Sequence, residues 1–176
     1  MTDAEATARA ARTLLERLGA RLPGFSGYLD RELRRELDQL VRTELAKRLD
    51  AARSALAGYA RTLGVAQAGL LDRVAGLDKS LDGLANAVRH AGAGYGGLFD
   101  AVKVREEQLE ILYEHDLGLV DAVDTIGRAA ASLAGDGEAV AGLERAIADA
   151  RDGLERREEA VRGILPQRGA AGGGER

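Results

Sequence analysis

Any chemistry in this chain has to come from very few side chains. His90 and His115 are its only imidazoles, and there is no cysteine, which removes thiolate nucleophiles, disulfides and sulfur-ligated metals. A carboxylate-bridged dimetal centre in a helical bundle needs Glu-x-x-His on two helices and carboxylates from two more. Here Ala87 stands three residues before His90, and Leu112 three before His115. Glu107, Glu110, Glu114, Asp121 and Asp124 follow one another at helical spacing. Such a ridge attracts cations loosely, and it is also what a solvated helix face looks like. The glycine-rich run from Ala91 to Gly97 opens a helix, yet it lacks the Lys-Ser/Thr ending and the preceding strand of a phosphate loop. No Ser or Thr stands in a recognisable nucleophile motif. The expectation is a protein that is not an enzyme and has no cofactor.

The elements that would position these residues are plain. Leu49, Leu56, Leu63, Leu70, Leu77 and Leu84 recur every seven residues, and Leu112, Leu119, Ile126, Leu133, Val140, Ile147, Leu154 and Val161 repeat the spacing later. Two helical turns return a side chain to nearly the same face, so these rows predict helices packed along seams. With 3% aromatic residues and an Ala/Leu-rich apolar fraction, the chain reads as all-α: an up-down four-helix bundle with an extra short N-terminal helix and heptad-type seams.

Charge and hydropathy narrow the classes further. A formal net charge of −4 argues against a nucleic-acid binder. No apolar run approaches the roughly 20 residues that cross a bilayer. The N-terminus carries charges where a secretory signal would be apolar. These features predict a cytoplasmic protein.

In chain order, residues 1–21 form a short amphipathic helix, α1, striped by Ala8, Ala11, Leu15, Leu18 and Leu22 and flanked by Arg9, Arg12, Arg17 and Arg21. It either docks on the bundle or lies on an anionic lipid surface. Residues 22–165 form the bundle and 166–176 a disordered tail. After a turn at Pro23 and Gly24, α2 covers about 28–63. Gly64 either ends it in a Schellman motif, with Val65 folding back, or sits inside one very long helix. The apolar companions follow their leucines by three residues before Gly64 and by four after it, which favours a reversal. Helix α3 (about 66–91) carries Gly69, Gly76 and Gly83, read either as a close backbone approach or as simple tolerance. Helix α4 (about 98–134) and helix α5 (about 137–165) are separated by Gly135-Asp136-Gly137. In α5 only Arg157 breaks the heptad pattern. Residues 98–135 have net charge −5 and residues 28–64 net +2, so α2 and α4 are expected to be neighbours. Up-down folding gathers Phe25, Tyr28, Tyr95 and Phe99 at one end, either as an apolar plug or as an interaction surface for a partner.

Two segments carry a resemblance. Leu22-Pro23-Gly24-Phe25-Ser26-Gly27-Tyr28 with Arg31, Glu32, Arg34 and Arg35, and Gly94-Tyr95-Gly96-Gly97-Leu98-Phe99-Asp100-Ala101-Val102-Lys103-Val104 with Leu109, Leu112, Tyr113 and Asp116, are similar to segments of a bacterial all-helical family of unassigned activity. The likeness covers roughly residues 22–120. Members of that family tend to accompany stomatin-like (SPFH) membrane proteins and zinc-ribbon proteins. The resemblance implies an adaptor in a membrane-associated or envelope-stress assembly, peripheral at the inner membrane, and a loop between α2 and α3.

The functional expectation is a non-enzymatic scaffold or adaptor that binds proteins, self-associates as a homo-oligomer, or does both. The alternatives are a metal- or small-ligand-binding bundle and peripheral lipid binding through α1.

Overall fold

The computed structural model describes residues 3–22, 31–91, 106–134 and 137–164. Within them the chain is all-α: α1 Asp3–Ala20, α2 Arg31–Ala60, a 3-10 turn Val65–Gln67, α3 Ala68–His90, α4 Glu106–Ala131 and α5 Gly137–Ile164. Long, straight-chain residues and alanine dominate each helix. The hydroxyls inside them cap their own turns: Thr43 Oγ1 donates to the Gln39 carbonyl at 2.8 Å, and Thr125 Oγ1 to that of Asp121 at 2.9 Å.

The leucine rows become the core. Leu49, Leu56, Leu77 and Leu84 are buried, as are Leu112, Leu119, Ile126, Val140, Ile147, Leu154 and Val161. Burying one such side chain contributes about 1.5–3 kcal/mol, so these rows hold the helices together. The stripe of α1 is buried too at Ala11, Leu15, Leu18 and Leu22, and α1 lies on α4.

Helices α2 and α3 form a hairpin, so the chain does reverse at Gly64. Arg53 reaches Asp78 at 3.0 Å and Asp82 at 2.6 Å, and Arg89 pairs with Asp50. The turn differs from a Schellman ending. Gly64 has φ −90° and ψ 173°, an extended conformation open to any residue. It starts the 3-10 turn instead: Gln67 N–H donates to the Gly64 carbonyl at 2.9 Å, while Gly64 N–H donates to Gln67 Oε1 at 3.1 Å. Val65 does not fold back and is 97% exposed.

Helix α4 packs on α5, α2 on α4, and α3 on α5. Arg48 meets Asp124 at 2.9 Å, and Arg157 bridges Asp38 and Asp116, so α2 and α4 run parallel. Arg73 meets Glu144 at 2.9 Å, and Arg151 donates to the Ser80 carbonyl at 3.4 Å, so α3 and α5 are parallel as well. The α2–α4 contact is the one that the opposite net charges predict. Close approach at the α3 glycines is not found: a Cβ built on Gly69, Gly76 or Gly83 would meet nothing within 4 Å. Gly135, Asp136 and the expected tail lie outside the described residues.

Candidate functional site

Two charged clusters and one groove stand out, and all three involve α4. The first cluster lies inside the core. Arg157 occupies an inward position of α5 between Leu154 and Val161 and is 3% exposed. Its Nε donates to Asp116 Oδ1 of α4 at 2.5 Å, and its Nη2 to Asp38 Oδ1 of α2 at 2.5 Å. Arg42, one turn after Asp38, closes on the other carboxylate oxygen at 2.8 and 3.0 Å. A further Arg42 nitrogen donates to the Arg89 carbonyl at 3.0 Å, satisfying one of the orphan carbonyls at the end of α3. One ionic layer therefore touches all four long helices, with two positive charges against two negative.

Burial and pairing act together on the protonation of Asp116 and Arg157. Loss of water pushes the Asp116 carboxyl above its ordinary value, although the charge and hydrogen bond of Arg157 pull it down. Burial disfavours the Arg157 cation, yet Asp116 and Asp38 outweigh that and hold it more firmly protonated than a free arginine. Asp38 accepts guanidinium hydrogen bonds on both oxygens and the buried Asp116 accepts one from Arg157, so each carboxylate is committed to an ion pair. What the layer can do is orient helices.

The second cluster is wet. Arg21, just past α1, reaches Asp121 at 2.8 Å and Asp124 at 2.7 Å. Arg48 reaches Asp124 at 2.9 Å and donates to the Arg21 carbonyl at 2.6 Å. Partial burial pushes the Asp124 carboxyl up, but the Arg21 hydrogen bond and the Arg48 charge win and hold it below its ordinary value.

Beside this cluster, α2 and α4 leave an open groove of about 520 Å³. Ala51, Ala52, Ala55 and Gly127 floor it, and Arg48, Asp124 and Arg128 rim it. Small side chains keep two helices from filling the space between them. Arg128 bonds the Thr125 hydroxyl at 3.0 Å and has no carboxylate partner among the described residues.

The residues singled out from the sequence fare unevenly. Phe25, Tyr28, Tyr95 and Phe99 lie outside the described residues, as does the run from Gly92 to Gly97. Of the acidic ridge, Asp121 and Asp124 are engaged by arginines rather than open to a cation. Among the described residues, no three His, Asp or Glu side chains converge to hold a metal ion, and no helix is long and apolar enough to cross a membrane. His90 is exposed and His115 half-buried.

Sequence reasoning marked Arg157 as out of type but did not find its partners. Asp116 carries a legible signal. It stands four residues after Leu112 and three before Leu119, an inward position in the same stripe. Asp38 carries none, since it sits in a mixed charge run beside Leu37.

Comparison of the chain with family models, with curated proteins and with solved structures gives no match in any of the three.

Proposed function

We propose that this chain is a non-enzymatic scaffold or adaptor: an up-down four-helix bundle, with an additional N-terminal helix, whose task is to hold another protein or a second copy of itself. The observation that carries this reading is the groove between α2 and α4. It is floored by alanine and glycine, rimmed by Arg48, Asp124 and Arg128 and left open among the described residues, while the neighbouring surface of α4 is already covered by α1. A small-residue floor lets a visiting helix approach closely, and the rim supplies polar contacts. The partner class implied by the resemblance is a stomatin-like membrane protein, which would place the adaptor peripherally at a membrane. Burial of the α1 stripe ranks lipid binding through that helix second, because the same side chains cannot serve both. Engagement of Asp121 and Asp124 by arginines ranks the metal-binding alternative lower still.

The test is affinity purification from the native host, with light scattering on the purified chain. Wild type should recover a defined partner or run as an oligomer. Gly127→Leu, which places a side chain in open groove space, should lose that association while keeping its helical content. A strict monomer that recovers nothing would remove the proposal.

A further inference from the structure

We infer that the Asp38–Arg157–Asp116 layer is a docking key, which fixes the single way in which hairpin α4–α5 seats on hairpin α2–α3. Register within each hairpin is held locally. Only residues 61–67 separate α2 from α3, and only 132–136 separate α4 from α5. The direct connection from α3 to α4 is longer in sequence, residues 91–105, so the register between the hairpins rests on the contacts that the described helices make with one another.

The leucine, valine and isoleucine rows by themselves do not choose a register. Sliding one hairpin by a heptad moves it about 10 Å and sets leucine, valine or isoleucine where leucine, valine or isoleucine had been. Leu112, Leu119 and Ile126 on α4, and Val140, Ile147, Leu154 and Val161 on α5, are all buried and nearly interchangeable. Parallel neighbours also align their helix dipoles unfavourably, so this docking needs something to select it. The part-buried pair Arg48–Asp124 and the exposed pair Arg73–Glu144 also cross between hairpins, but both retain water that can replace either partner.

The layer is different. Arg157 and Asp116 belong to one hairpin, and Asp38 and Arg42 to the other. The bond from Arg157 to Asp38 is the link across the divide, with the guanidinium buried and Asp38 part-buried. A heptad slip carries Arg157 away and sets Ala150 or Ile164 against Asp38. Each hairpin keeps its own ion pair, Arg157–Asp116 and Arg42–Asp38, but the bond that joins them is lost and the Arg157–Asp116 pair faces apolar side chains instead of a carboxylate. The key works by making every other register worse.

The test uses the absence of cysteine. Spin labels are placed at Lys79→Cys on α3 and Asp152→Cys on α5, both exposed, and the inter-label distance is measured by pulsed electron resonance. The parent should give one narrow distance. The apolar triple variant Asp38→Leu, Asp116→Leu, Arg157→Met should keep its helicity and melt no lower than the parent, yet give a distribution that is split or broadened toward longer distances. Asp38→Asn, which removes the charge that Arg157 meets across the hairpins and that Arg42 meets within one, should broaden it partially, while the surface control Asp50→Asn, which breaks a pair within one hairpin, should not. A single parent-like distance in the triple variant would overturn the inference. If that variant fails to fold, a single parent-like distance in Asp38→Asn overturns it equally, and broadening there supports it.

Discussion

Asp116 and Asp124 sit eight residues apart on the same helix, each held by arginines from other helices, and their carboxyls move in opposite directions. Asp116 is buried with Arg157, and burial raises it. Asp124 is pushed up by partial burial too, but it retains water, and Arg21 and Arg48 bring it down. The chemical groups are the same. What differs is how much solvation each gave up before its partner arrived, so the inner pair is costly to disturb and the outer pair adjusts.

The largest expected effect tests that contrast directly. Arg157→Ala leaves the buried Asp116 without its guanidinium partner, and should destabilise the fold by about 3–5 kcal/mol in urea denaturation. Asp124→Ala should cost under about 1 kcal/mol. Equal costs at the two sites would end the comparison.

Acid titration sharpens it. Because the folded-state value for Asp116 is raised, the native state takes up its proton first as pH falls. Stability of the parent relative to Asp116→Asn should therefore rise as pH falls from neutrality, and level off near the ordinary 3.8. Because the value for Asp124 is lowered, its contribution is present above the ordinary 3.8 and disappears as pH falls below it. Stability relative to Asp124→Asn should then decline in that lower window. Urea midpoints between pH 7 and pH 3 for the three proteins check the two opposite slopes.

Salt gives a smaller effect. The Asp124 cluster should weaken as ionic strength is raised, with the penalty of Asp124→Ala shrinking toward zero at about 1 M salt, whereas the penalty of Arg157→Ala should hardly change. The smallest effect comes from the outer face of α3, where no charge is involved. Gly83→Ala has open space around it, and should stabilise the fold by about 0.4–1 kcal/mol through loss of unfolded-state freedom. A loss of stability there would mean that a neighbour approaches α3 after all.

Much of the fold was legible because periodicity reports which face of a helix is dry. The rows from Leu49 to Leu84 and from Leu112 to Val161 gave helices, inward faces and the break near Gly64. Opposite net charges gave the α2–α4 contact. The turn at Gly64 was read with the wrong geometry, since glycine permits a left-handed conformation without requiring it, and Gln67 supplied a side-chain cap that favoured the extended one. The α3 glycines were compatible with close approach, but composition does not say where neighbours lie. The groove was not legible at all, because alanine and glycine on a helix look the same whether a neighbour covers them or leaves them open.

The sequence by itself determined that this chain is helical, which stripes turn inward and that Arg157 breaks one of them, because those properties repeat along a single helix. Tertiary structure alone decided that Arg157 meets Asp38 from 119 residues away and Asp116 from 41, and that Asp116 and Asp124 differ. Solvation and pairing of a charge depend on what other helices place around it, and no spacing within one helix encodes that.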